Sequence, residues 1–291
     1  MTVIAVEPSD VEHWREHGYV VVEQVCTPAQ LDAALENIHA YMPTWEEYAA
    51  RRAAWEPLVA SGPVRRGFPF VGDALNDLTF NPYLLEFAKT VLNTSDLALS
   101  HSGLFGKYAG HGDFEQVLHV DYGNNTLAYP KEDLGVFDLP FIVYYSDVTI
   151  DMGPTYVVSQ TQTRDGLLEP RHRSRADYVK LYELELPVTV PAGGALLYSM
   201  RTFHRGSRMI ATEGVRYSHH LAYHVAGPRW LGSTTFQRSG GSPEMDHFIV
   251  RASPEQREMV GFPPIGDPYW DAETIAGVAA RYPGMDVTPY R

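Results

Sequence analysis

The constraint that most narrows this chain is a change of hydrophobic period at about residue 97. Before it, apolar residues recur at helical spacing; after it, short β-branched and aromatic runs alternate with polar residues and are cut by turn formers. Runs at 97–107, 116–121, 141–146, 155–159, 186–190, 195–198 and 215–225 read as strands. Gly110, Gly112, Gly153-Pro154, Pro191, Gly193-Gly194 and Gly214 separate them. Many short strands after a run of helices imply an α+β protein whose core is a β-sandwich or barrel; the double-stranded β-helix, the jelly roll of cupins, is the natural candidate, with a ligand site in its open mouth.

The first part of the chain supplies the helices. Ser9-Asp10 can cap a helix carrying Val11, Trp14 and His17, which Gly18 stops, and 19–22 follows as a short strand. Thr27-Pro28 opens a second helix with Leu31, Ala34, Leu35 and Ile38 on one face. Residues 45–60 and 82–92 read as helices and 63–72 as loop. The expected organisation is one domain over 1–291: helical support over 1–96 packed outside, the jelly-roll core over 97–226, and a C-terminal extension over 227–291.

That extension is no solvated tail, since it carries Trp230, Phe236, Phe248, Phe262, Tyr269, Trp270, Tyr282 and Tyr290. Pro263-Pro264 and Asp267-Pro268 imply extended, rigid segments with little helix between them, and Asp271 caps a helix reaching Ala280. Two roles compete for it. One is packing on the barrel or a second subunit; the other is a lid over the mouth from 230–241, hinged at Gly240-Gly241.

Charge and cysteine content exclude several functions. A net charge of −13 argues against nucleic acid as a partner, and the single Cys26 precludes an internal disulfide. No apolar run reaches the ~18 residues of a membrane span, and no basic-then-apolar leader opens the chain. A cytoplasmic monomer or homodimer acting on a small molecule is the expectation.

The chemistry centres on Leu118-His119-Val120-Asp121. Two residues apart on a strand, His119 and Asp121 share a face and offer an imidazole and a carboxylate side by side. A third ligand would complete the 2-His-1-carboxylate triad of non-haem Fe(II). Among the chain's 12 His, His204 is preferred because it follows a turn and strand over 191–198. His219, His220 and His224 compete, but they lie on one long strand and fit satisfied core positions. On that strand Arg216, Ser218, His220 and Ala222 share a face, and a guanidinium inside a barrel requires an anion. An ion pair with one of the chain's 36 acids is the alternative.

These residues carry a family resemblance. Val11-Glu-His-Trp-Arg-Glu-His-Gly-Tyr-Val-Val-Val22 is similar to the opening helix and strand of the phytanoyl-CoA dioxygenase family of Fe(II)/2-oxoglutarate oxygenases. Lys107-Tyr-Ala-Gly110 resembles its Lys-Pro-Pro-Gly segment, His119-Val-Asp121 its metal motif, and Val148-Thr-Ile-Asp-Met-Gly-Pro154 its stretch ending Asn-Gly-Pro. Pro191-Ala-Gly-Gly-Ala-Leu-Leu197 resembles the strand before the distal His. Where the family has Pro-Gly-Ser-His, this chain has Val158-Ser159-Gln160-Thr161. The resemblance implies Fe(II), 2-oxoglutarate and O₂ as cofactor and co-substrates, and His119, Asp121 and His204 as the metal ligands. It also implies Arg216 on the far carboxylate of 2-oxoglutarate, with Lys107 and Ser207 assisting. Hydroxylation of an unactivated carbon of a small or medium-sized metabolite, with release of succinate and CO₂, is the implied reaction. A carboxylate at Asp121 argues against halogenation.

Phe105, Tyr122, Asn124, Tyr129, Phe141, Tyr145 and Trp230 are candidate linings of the mouth, and Arg201 a candidate contact for an anionic substrate. A zinc hydrolase using the same three ligands, or a non-catalytic cupin-like binding protein, are the alternative readings.

Overall fold

The structure, a computed structural model, describes residues 4–60, 62–111, 114–121, 138–164, 172–225, 243–259 and 262–291. The helices are α1 (Pro8–His17), α2 (Pro28–His39), α3 (Trp45–Ala50), α4 (Arg52–Val59), α5 (Ala74–Thr79), α6 (Pro82–Leu92), α7 (Val179–Tyr182), α8 (Pro243–Arg251), α9 (Pro254–Met259) and α10 (Ala272–Arg281). The strands are β1 (Tyr19–Val22), β2 (Val64–Gly67), β3 (Leu97–Tyr108), β4 (Leu118–His119), β5 (Leu139–Tyr144), β6 (Thr155–Val157), β7 (His172–Arg173), β8 (Leu186–Val188), β9 (Ala195–Tyr198), β10 (His204–Gly206) and β11 (Val215–Val225).

Among the described residues the strands form two antiparallel sheets, ordered β1-β9-β5-β11-β3-β2 and β7-β4-β10-β6-β8. The larger sheet has two different faces. On one, Leu104, Phe141, Val143, Leu197, Tyr217, Leu221 and Tyr223 pack against Ala34, Ile38, Leu84 and Phe87 of the N-terminal helices. On the other, Ile142, Tyr144, Leu196 and Tyr198 pack with Val157 and Val188 of the smaller sheet. A hydrogen bond of 3.0 Å between Tyr144 Oη and Thr155 Oγ1 joins the sheets across that interior. The result is the double-stranded β-helix with its helices outside, its two sheets facing but not closed on one another.

Local chemistry explains the elements. Thr27 and Gln30 form a reciprocal capping box at the start of α2, as do Asp271 and Thr274 at α10. Gly18 ends α1 at φ +77°, where its N–H donates to Trp14 O at 2.7 Å. Asp10 does not cap α1, which begins at Pro8; its carboxylate instead accepts from Tyr83 Oη at 2.8 Å and ties α1 to α6.

Several expectations change. Residues 63–72 hold strand β2, which pairs with the edge of β3, and 45–60 divides into α3 and α4 at Arg51. The expected strand over 116–121 is only β4, with Asp121 already in the turn beyond it. Strands β7 and β10 are two and three residues long, too short to show a period. The stretch from Pro263 to Pro268 is free of helix, as expected, while α8 and α9 precede it where no element was expected. Gly112, Tyr122, Asn124, Tyr129, Trp230, Phe236 and the lid over 230–241 lie outside the described residues. No described helix is long and apolar enough to cross a membrane.

The C-terminal extension packs on the barrel. Ile249, Phe262, Tyr269, Val278, Tyr282 and Tyr290 form one cluster with Leu118, Val120, Met200 and Phe203, the apolar neighbours of the metal-motif residues. Alternation along β4 thus sends Leu118 outward to the extension and His119 inward. Truncating Phe262, which is 1% exposed, is expected to destabilise the protein by about 3–5 kcal/mol, read from the denaturation midpoint. A shift under about 1 kcal/mol would show that the extension is not part of this core.

Candidate metal centre

Strand pairing brings the first two donors together. His204 of β10 is the register partner of His119 of β4, so the two imidazoles stand on one face of adjacent strands with ring centroids 4.5 Å apart. Each ring is oriented from behind: His119 Nδ1 lies 2.8 Å from Val117 O, and His204 Nδ1 lies 3.0 Å from Thr202 O. A carbonyl can only accept, so Nδ1 carries the hydrogen in both rings and both Nε2 lone pairs face inward. Asp121 closes the group. Its Oδ1 lies 3.5 Å from His204 Nε2 and 3.9 Å from His119 Nε2.

The donor atoms of His119, Asp121 and His204 lie within 4.8 Å of one another. Two neutral imidazoles and one carboxylate oxygen, each oriented by an outer hydrogen bond, fit a divalent transition metal. The three neighbouring histidines do not join them. His219 faces the helices, bonded through Nε2 to Ser102 Oγ (2.9 Å) and through Nδ1 to Tyr145 Oη (3.0 Å), and burial pushes its imidazole down to about 3. His220 faces the barrel interior against the Phe105 ring, at 4.4 Å, and burial keeps it well below the usual range. His224 sits near the far end of β11 with Nδ1 2.9 Å from Val225 O.

The structure adds Tyr198, which the sequence reading did not single out. Its phenol donates to Asp121 Oδ2 at 2.9 Å, and its ring lies against His204 at a centroid distance of 4.6 Å. Burial and the adjacent carboxylate raise its ionisation well above the ordinary tyrosine range, so it stays a donor. A signal was present: Tyr198 has the same parity as inward-facing Leu196 on β9, directly before the segment that carries His204.

Two arginines show opposite solutions to burial. Arg205, beside the distal His but on the outer face, pairs bidentately with Glu185 (2.6 and 2.8 Å) and also meets Glu115. Arg216, on the inner face of β11, has no carboxylate partner among the described residues. Its Nη1 donates to Gly153 O, Nε is buried without a partner, and burial lowers its pKa. Gly153 is held at φ +70°, and a Cβ there would come within 3.0 Å of the Ser207 carbonyl, so this docking point for the guanidinium requires glycine.

Lys107 is the register partner of Arg216 and donates from Nζ to Ser207 O (2.7 Å) and Phe114 O (3.1 Å). Ser207 Oγ in turn donates to Pro154 O at 2.7 Å. The two residues therefore brace the Arg216 end of the barrel to each other and to the Gly153-Pro154 turn. Of the expected mouth residues, Phe105 faces the interior. Phe141 and Tyr145 instead face the helices, because the parity of β5 turns them outward. Arg201 pairs with Glu273 of α10 at 3.5 Å, an anion supplied by the chain itself.

The family model described as phytanoyl-CoA dioxygenase (PhyH) matches residues 14–217, a span that includes all three metal-motif residues and Arg216. Comparison with curated proteins gives no match. Among solved structures, the chain resembles SnoK, a non-haem α-ketoglutarate-dependent carbocyclase from nogalamycin biosynthesis. The TM-score is 0.53 at 20% identity, covering 78% of this chain and 87% of that one. It also resembles HygX from Streptomyces hygroscopicus with nickel and 2-oxoglutarate bound (TM-score 0.53, 18% identity, 77% and 88% covered). A third likeness is to the epimerase SnoN in complex with Fe³⁺, α-ketoglutarate and nogalamycin RO (TM-score 0.52, 17% identity, 75% and 83% covered). At these identities the solved structures speak for the fold, and the family follows from the sequence match: the chain belongs to the phytanoyl-CoA dioxygenase family.

Proposed function

We propose that this protein is an Fe(II)- and 2-oxoglutarate-dependent oxygenase over 1–291, with His119, Asp121 and His204 as the metal ligands. The observation that carries the reading is the triad itself, three inward donors within 4.8 Å, two of them imidazoles already in the ligating tautomer. Arg216 binds the far carboxylate of 2-oxoglutarate, since its buried guanidinium has, among the described residues, an unpartnered Nε and no carboxylate of its own. Lys107 and Ser207 hold that end of the barrel in shape through their mutual bonds. Iron at the triad would supply the O₂ chemistry that couples decarboxylation of 2-oxoglutarate, to succinate and CO₂, to oxidation of an unactivated carbon. The chain's own part is to orient both co-substrates and to keep water out with the apolar wall of Ile142, Val157, Val188 and Leu196.

The substrate is a small or medium-sized metabolite rather than a nucleic acid, in keeping with the charge of −13. Hydroxylation is the proposed outcome. Ring closure and epimerisation are what the names of SnoK and SnoN record for those proteins. A zinc hydrolase would give Arg216 no anion to hold, which counts against that alternative.

Anaerobic addition of Fe(II) and then 2-oxoglutarate is expected to produce the weak visible charge-transfer band of an iron–2-oxo acid chelate. Iron binding without the band would favour a hydrolase. His204→Ala is expected to abolish iron binding, whereas His220→Ala retains it; the reverse pattern would reassign the third ligand. Arg216→Ala is expected to keep iron and raise the apparent KM for 2-oxoglutarate by roughly two to three orders of magnitude, the effect of breaking a buried charge pair. An unchanged KM would place the anchor elsewhere.

A further inference from the structure

The two oxygens of Asp121 are in different surroundings. Oδ1 faces both imidazoles, 3.5 Å from His204 Nε2 and 3.9 Å from His119 Nε2. Oδ2 faces away from them and accepts from the Tyr198 phenol at 2.9 Å. A carboxylate has enough lone pairs to chelate a metal through both oxygens, and nothing in aspartate itself forbids it. Chelation would matter here. Two imidazoles and one carboxylate oxygen leave three positions of an octahedron, whereas two imidazoles and a chelating carboxylate leave two. A 2-oxo acid bound through two atoms, together with O₂, needs three.

We propose that Tyr198 is a positioning residue that confines Asp121 to a single ligating oxygen and so keeps the third position available. This rests on the iron and 2-oxoglutarate reading given above. Tyr198 is suited to the task because its own freedom is gone. It is 4% exposed, it ends β9 in register with Tyr19 of β1, and its ring lies against the His204 imidazole at 4.6 Å. Two residues on, Met200 O accepts from the Asp121 N–H at 3.2 Å, and two residues further Thr202 O accepts from His204 Nδ1 at 3.0 Å. One short segment therefore fixes the Asp121 side chain, the Asp121 backbone and the His204 ring. Rotating the carboxylate to bring Oδ2 onto the metal would break the phenol bond, and the packed ring could not follow.

Tyr198→Phe keeps the ring and removes only the donor. Fe(II) affinity and 2-oxoglutarate affinity are measured separately, the first by anaerobic calorimetry and the second by titrating the visible band. The variant is expected to bind Fe(II) as tightly as the unsubstituted protein, with 2-oxoglutarate binding weakened roughly tenfold or more. An unchanged 2-oxoglutarate affinity overturns the proposal. So does a loss of iron affinity with 2-oxoglutarate affinity preserved, which would make Tyr198 a simple structural support. If the variant does not fold, the unsubstituted protein loaded with Co(II) gives the answer through its infrared difference spectrum. A wide separation of the carboxylate stretching bands reports one ligating oxygen, and a narrow one reports chelation and sinks the idea. Absence of any band or iron binding in the unsubstituted protein would instead remove the oxygenase reading on which this inference stands.

Discussion

Three electron-rich atoms held within 4.8 Å of one another, two of them on buried imidazoles, are the constraint on which the rest of this structure depends. Lone pairs so close do not attract, so the arrangement must be imposed by bonds made elsewhere. They come from behind each ligand: backbone carbonyls of Val117 and Thr202 on the two Nδ1 atoms, and the Tyr198 phenol on Asp121 Oδ2. The pairing of β4 with β10 sets the two rings side by side, and the C-terminal aromatic cluster presses on Leu118 and Val120 from outside. What reads as an appendix beyond the last strand is thus the backing of the strand that carries His119.

The same interior separates two kinds of buried charge. Arg205 is neutralised on the spot by Glu185 and Glu115 and belongs to the scaffold. Arg216 stands where the described residues supply a glycine carbonyl and no acid. A buried guanidinium without an anion is costly, so in the proposed function the arrival of a dicarboxylate there would also stabilise the fold. Arg216 stands on the larger sheet and the two histidines of the triad on the smaller one, so in the proposed function each sheet would hold one end of 2-oxoglutarate.

Much of this was legible in the residues. The switch of period at about residue 97 indicated the barrel, and parity put Arg216 and His220 on one face of their strand; His119 and Asp121 do meet, although Asp121 lies in the turn beyond β4. Parity also carried the corrections: Phe141 and Tyr145 are one step out of phase with Ile142 and Tyr144, so their aromatic rings serve the helix side. Other features left no such trace. Strands β7 and β10 are too short for any period, and α8 and α9, nine and six residues long, offer little helical period to read. The Val117 and Thr202 carbonyls are backbone groups, which every residue has, so no side-chain pattern announces them.

The most direct test of the account is diffraction from crystals loaded anaerobically with Fe(II), recorded on both sides of the iron absorption edge. The account requires one anomalous peak per chain, within about 2.0–2.2 Å of His119 Nε2, His204 Nε2 and a single oxygen of Asp121, the distances usual for nitrogen and oxygen donors to such metals. A peak on His220 or His224 instead, or none at the triad, would contradict it.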